Sequence, residues 1–135
     1  MDLVLTSGNA RVAASIAAVG LVLLAAFQVA LALGVPWGRA AWGGAHDRLP
    51  GRLRVASGLA AVLWVLAALV VLGRAGLSLS PVPASVARWA IWVLVGLLGA
   101  GSVLNLASSS RWERYLWSPF ALVLAVLCLL VALGP

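Results

Sequence analysis

The sequence predicts an all-α integral membrane protein, an antiparallel four-transmembrane-helix bundle. Three observations predict it. The chain of 135 residues is 64% hydrophobic and 9% charged, whereas a soluble domain is about 45–50% apolar and about 25% charged. Four stretches carry no charge over a bilayer-crossing length, for which about 20 helical residues suffice. These stretches are continuously apolar and lack the two-residue alternation of a barrel strand. Helices and closed barrels are the structures that satisfy every backbone group in lipid, so the alternative to helices falls away.

The first span is expected at about 10–34, ending ahead of Pro36, because a residue before proline avoids helical geometry. Ala30-Leu31-Ala32 resembles a signal-peptidase site, but the apolar run before it exceeds a usual signal core. The start also carries Asp2 with Arg11 as its only counterweight. A retained helix is therefore expected. The second span is expected at 55–73. A rigid Ser80-Pro81-Val82-Pro83 linker then leads to a third at 86–107, with Ser85 as its cap. The fourth is expected at 111–133, opened by a capping box in which Ser110 accepts from the first turn and Glu113 returns to the Ser110 amide. Pro119 leaves the carbonyl of Tyr115 free and predicts a kink there. Residues 1–135 thus form one domain.

Short connections predict an up-down bundle, and arginine counting orients it. Arg39, Arg48, Arg52, Arg54, Arg111 and Arg114 lie in two segments on one side, against Arg11, Arg74 and Arg88 on the other. Basic residues collect on the cytoplasmic side, which places both termini outside. All nine basic residues are Arg, and with so much Ala, Leu, Val and Gly this suggests a GC-rich bacterial genome and an inner-membrane location. The formal charge of +6 reads as topology and lipid contact rather than nucleic-acid binding. Trp37, Trp42, Trp112 and Trp117 fall at the cytoplasmic boundary and Trp89 and Trp92 at the outer one, where indoles reach water. Trp64, mid-span, reads as packing, as does the lone Cys128.

Hydrophobicity does not drive helices together in lipid, but small residues permit close contact. Gly96 with Ala100, Ser57 with Ala61, and Ala14 with Ala18 are candidate contact pairs, the first accompanied by Gly99 and Ser102. Trp37 to Trp42 and Trp112 to Trp117 share a W-x-R-x-x-W spacing. This suggests a duplicated hairpin, although boundary composition alone accounts for it better.

Chemistry could gather at the cytoplasmic end, where Trp37, Arg39, Trp42, His46, Asp47, Arg52 and Arg54 precede the second span and Glu113 and Arg114 open the fourth. His46 could serve as an acid or base. An ordered loop whose arginines snorkel to lipid phosphate explains the same residues more simply. Glu113 is expected to pair with Arg52 or Arg54. Gln28 and Asn105 are candidate intramembrane polar contacts, either binding helices together or meeting a lipophilic ligand. The acids lie at or outside the boundary, which counts against a proton-coupled exporter. One His without partnering Cys or further His disfavours a metal or haem, and no cofactor is expected.

The segments Gly34-Val-Pro-Trp-Gly-x-x-x-Trp42-Gly43-Gly44, Leu49-Pro50-x-Arg52-Leu-Arg54 and Ser108-x-Ser110-x-x-Glu113-Arg114-x-x-Trp117-x-Pro119 resemble an uncharacterised group of small four-helix bacterial membrane proteins. The resemblance spans most of the chain and implies that the two cytoplasmic segments act together; it transfers no activity. Three functions stay open. The sequence favours a non-enzymatic subunit or interaction protein, associating with itself or a larger membrane protein. A binder or carrier of a lipophilic molecule or lipid is the alternative, marked by a cavity reaching Gln28 or Asn105. A membrane enzyme, marked by a cleft joining His46 and Glu113, comes last.

Overall fold

The computed structural model describes residues 6–77 and 79–135. Asp2, used above in weighing the start of the chain, lies outside them. The described residues form an all-α fold with helices α1 (Ser7–Ala32), α2 (Gly51–Arg74), α3 (Ala84–Leu106) and α4 (Ser118–Leu133). A π-helical turn, Glu113–Trp117, runs directly into α4, and together they make a 21-residue span. All four spans are long and apolar enough to cross a membrane.

Helix ends leave backbone groups open, and several here carry a local device. Thr6 caps α1, its hydroxyl accepting from the Asn9 amide at 3.2 Å. At the other end Val35 N–H reaches back to the Ala30 carbonyl and Gly34 N–H to that of Leu31. Gly34 sits at φ +91°, so this is a Schellman closure, which needs a left-handed residue. Helix α2 ends the same way: Leu77 N–H bonds the Leu72 carbonyl, Gly76 N–H that of Gly73, and Gly76 has φ +77°. Pro50 and Pro83, both extended, precede α2 and α3 without side-chain caps. Ser85 is therefore inside α3 rather than its cap.

The ends also tie helices to one another. Arg54, at the start of α2, donates from Nε to the Ala32 carbonyl ending α1 at 2.9 Å. Arg74, ending α2, donates to the carbonyls of Ala132, Gly134 and Pro135. A cation there complements the negative end of the α4 dipole. Gly134 in turn lies against Ala10 of α1. The starts of α1 and ends of α2 and α4 thus share one face of the bundle, and consecutive helices are antiparallel. In cross-section the neighbours are α1–α2, α2–α3, α3–α4 and α4–α1; the α1–α2 and α3–α4 contacts are the most extensive.

Small side chains set the spacing. Helix α1 buries Ala10, Ala13, Ala14, Ala17 and Ala18, which lets α2 and α4 approach closely. At Gly20 a Cβ would stand 2.7 Å from Leu124 Cδ2. The Ser57–Ala61 and Ala14–Ala18 pairs are buried as contact faces. The Gly96–Ala100 pair is not: both residues are exposed, and a Cβ at Gly96 or Gly99 would meet nothing within 4 Å. Helix α3 presents its larger residues, Ile91, Leu94 and Leu98, to the core, and that choice of face turns the glycines outward. Cys128 is fully buried among core residues.

The kink expected at Pro119 takes the form of the π-turn. With no N–H at position 119, the backbone closes a wider loop, Ser118 N–H to the Glu113 carbonyl, as π-bulges do. Beside it, Ser102 Oγ donates to the Ser118 carbonyl at 2.8 Å, while Ser118 Oγ donates to the Ser102 carbonyl at 2.7 Å. This buried reciprocal pair joins α3 to α4. Interhelical bonds of this kind contribute about 0.6 kcal/mol, up to about 1.7. Ser102→Ala and Ser118→Ala should each cost about 1 kcal/mol in reversible unfolding from detergent. The double variant should cost clearly less than their sum; strict additivity would mean that the two hydroxyls do not cooperate.

Candidate functional site

The segments that follow α1 and α3 fold into one unit. The loop after α1 makes two 3₁₀ turns, Gly38–Ala40 and Trp42–Gly44, and hangs on a small apolar cluster of Leu31, Ala41 and Leu49. Arg39 holds it together, with Nε donating to Asp47 Oδ1 at 2.7 Å and Nη1 to the Gly44 carbonyl. Being exposed, this ion pair contributes little stability on its own. Gly38 N–H bonds the Asp47 carbonyl at 2.7 Å, and a Cβ at Gly38 would collide with the backbone carbonyls of His46 and Asp47. Only glycine permits this approach.

The segment 108–113 then grips the loop. Ser110 Oγ donates to the Arg39 carbonyl at 2.6 Å and Ser109 Oγ to the Gly43 carbonyl at 3.3 Å. Glu113 Oε1 accepts from Ser108 Oγ at 2.6 Å and from the Gly43 N–H at 3.0 Å. Gly43 presents that amide because its φ is +82°. The capping box is thus half formed: Ser110 Oγ does accept from the Glu113 amide, but the Ser110 amide is taken by Ser108 Oγ. Glu113 pairs with neither Arg52 nor Arg54. Its oxygen is committed to the loop, and Arg54 is committed to α1. The two W-x-R-x-x-W segments also differ in backbone, one being 3₁₀ turns and the other a helical turn, so their spacing marks no structural repeat.

Trp42 carries an unusual backbone, φ +50°, a conformation that costs a large residue of order 1–3 kcal/mol. In return its indole N–H reaches Ser57 Oγ on α2 at 2.9 Å, and Ser57 is fully buried. The ring thereby roofs a half-open cavity of ≈ 180 Å³ between the helices. Gln28 of α1, Trp64 of α2, Asn105 of α3, and Glu113 and Trp117 of the π-turn line it. An aromatic chain runs along its side: Trp37 stacks on Phe27 at 6.3 Å, Phe27 meets Trp117 at 4.8 Å, and Trp117 meets Phe120 edge-on at 5.5 Å.

Two polar atoms near this cavity are buried without a hydrogen-bond partner, Gln28 Oε1 and Trp117 Nε1. Gln28 therefore does not bond Asn105, although both line the same space. Trp117 is half-buried between Phe27 and Phe120, whereas Trp42 stays 43% exposed with its indole N–H turned to Ser57. The π-turn, which rotates Trp117, has no sequence mark beyond Pro119. Arg52 is exposed. Arg114 places its guanidinium 5.3 Å from the Tyr115 ring centroid, with Nε buried and unpaired. The cavity takes in Glu113 but not His46, so these two groups do not share a cleft there. Among the described residues no three His, Cys, Asp or Glu side chains gather as a metal site would require.

Comparison with known proteins gives no match, whether with family models, curated proteins or solved structures. The fold defines a class: a small multi-pass membrane protein with four apolar helices.

Glu113 is the pivot of the loop. Glu113→Leu should free the 38–47 loop, read as faster amide exchange at Gly43 and Gly44, while Glu113→Gln, which keeps an acceptor, should stay near the native rate. Combining Glu113→Arg with Arg54→Glu should not restore the loop; recovery would show that charge pairing, not the Gly43 amide, is what matters.

Proposed function

We propose that this protein is a non-enzymatic binder of a small lipophilic molecule in the bacterial inner membrane. The observation that carries the reading is the half-open cavity lined by Gln28, Asn105 and Trp64 beneath the Trp42 ring. Small-molecule sites are mostly apolar hollows with a few convergent polar groups. A purely structural subunit, the reading that the sequence alone favoured, has no use for such a space. Chemistry at the loop is disfavoured by the commitment of Asp47 to Arg39 and of Glu113 to Gly43. Arg48, Arg52 and Arg111 are exposed around the same end and suit anionic lipid headgroups. The resemblance stated above fits this reading in one respect, that both cytoplasmic segments build one site.

Native mass spectrometry from lipid nanodiscs tests it. The native chain should carry a discrete adduct of small mass. Gly101, on the cavity wall, has open space where a Cβ would stand. Gly101→Phe should therefore remove the adduct while the helical circular dichroism is kept. A bare native chain, or an adduct unaffected by Gly101→Phe, would overturn the reading.

The orientation belongs to the same proposal, with both termini outside and the loop cytoplasmic. Alkaline phosphatase joined after Pro135 should be active in a bacterial host, and a fusion within the 38–47 loop inactive. The reverse pattern would place the cavity at the outer face.

A further inference from the structure

We infer that the cavity opens sideways into the bilayer between α2 and α3, and that it holds the polar end of a chain lipid whose tail lies along that seam. The inference rests on the binding reading above and goes further by naming the ligand class and its pose. Exposure locates the mouth. Among the residues that line the cavity, Trp42 and Leu97 are the exposed ones, at 43% and 41%. Leu97 belongs to α3, and Trp42 is tied to α2 through its bond to Ser57. On the α1–α4 side the contacts of Phe27, Trp117 and Phe120 close the wall.

A second hollow continues from this mouth. It is a groove of ≈ 200 Å³ along the α2–α3 seam, and Leu97 borders both spaces. Ala67 and Leu94 are its buried floor, Leu66 and Val93 are exposed at its edges, and Trp89 marks its far end. Polarity divides between the two hollows. Gln28, Asn105 and Glu113 line the cavity, whereas aliphatic side chains and one indole line the groove. An amphiphile matches that division; a compact ligand leaves the groove unused. The direction matches as well. A lipid of the loop-side leaflet has its head at the boundary and its tail toward the midplane, and the groove leads away from the loop end. From Asn105 to Trp89 the α3 axis rises about 24 Å, more than half of a hydrocarbon core of about 30 Å. A long chain therefore fills the seam, while a short one ends in the cavity. The cavity lining carries a carboxylate and no cation, which suits an uncharged head.

Lipid is as apolar as the groove, so packing and not the hydrophobic effect holds the tail. Filling the groove is accordingly the sensitive test. Native mass spectrometry of the full chain, from nanodiscs doped with equal mole fractions of monocaprylin and monopalmitin, reads it. The two probes share a glycerol head and differ in chain length, and equal doping removes partition from the comparison. The native protein should retain monopalmitin about tenfold more, the ratio that roughly 1.4 kcal/mol gives. In Val93→Trp, which fills the groove, the ratio should fall close to one through loss of monopalmitin. Ala90→Leu, on the same groove, provides a second variant if Val93→Trp fails to fold. Val19→Trp, an equally large change on the exposed side of α1, should leave the ratio as it is.

Equal retention of the two probes by the native protein overturns the inference and leaves a compact ligand for the cavity. A ratio that survives both Val93→Trp and Ala90→Leu overturns the placing of the tail. A dimer that Val93→Trp dissociates overturns the inference by putting a second copy of the chain in the groove. Retention of neither probe overturns it too, and if the native chain is also bare, the function reading falls with it.

Discussion

A hydrocarbon solvent offers no partner to a free carbonyl or amide, and most of this structure follows from that constraint. Twenty-odd residues of helix satisfy their own interior, but the ends of each helix leave several groups open. This chain closes them with a small set of devices and then uses the same devices to fix its tertiary arrangement. Arg54 closes α1 from α2. Arg74 closes α4 from α2. Glu113, beginning the last span, closes a loop amide that follows the first. Because each closure reaches across from another part of the bundle, removing one costs both a local hydrogen bond and a tertiary tie. That economy suits a bundle whose core, built largely of alanine, gains nothing from the hydrophobic effect against lipid.

The same constraint shows which parts of the fold could be read from the sequence. The four apolar spans are written in charge distribution alone. Their ends are half written: Gly34 and Gly76 are typical left-handed closures once the helix ahead of them is known. The partner of Glu113 could not be read, because charge complementarity points to arginine while the actual donor is a backbone amide. That amide is exposed to the carboxylate only by the left-handed geometry of Gly43, a property of the folded loop. The outward turn of Gly96 and Ala100 was hidden for a related reason. Small residues permit close packing but do not require it, and the larger side chains of α3 decided which face went inward.

The cavity was legible to a similar degree. Gln28 and Asn105 stand out as polar residues in apolar runs, and they do line one space. What the sequence could not supply was its roof and its wall. Trp42 reaches Ser57 only by adopting a strained backbone, and strain of this sort persists where the surroundings over-determine it. Here the surroundings are the Arg39–Asp47 link, the serine grip of 108–110 and the Glu113–Gly43 bond. Stability gained in those contacts holds an aromatic ring over a hollow, an arrangement typical of sites rather than of cores.

The π-turn at Glu113–Trp117 acts as an angular correction. A π-turn amounts to one residue inserted into an α-helix, and each α-helical residue turns by about 100°. The membrane-buried part of the last span is therefore out of phase with its entry by nearly that angle. The apolar stripe of α4 can face α1 and α3 while the entry turn independently aims its carboxylate at Gly43 and its indole at the cavity. A single-residue deletion within 113–117 would leave every transmembrane contact of α4 intact in composition, yet swing the entry by the lost angle and carry Glu113 away from the loop. Site and scaffold are thus joined through a rotational offset, so length at this one turn matters as much as the identity of the residues in it.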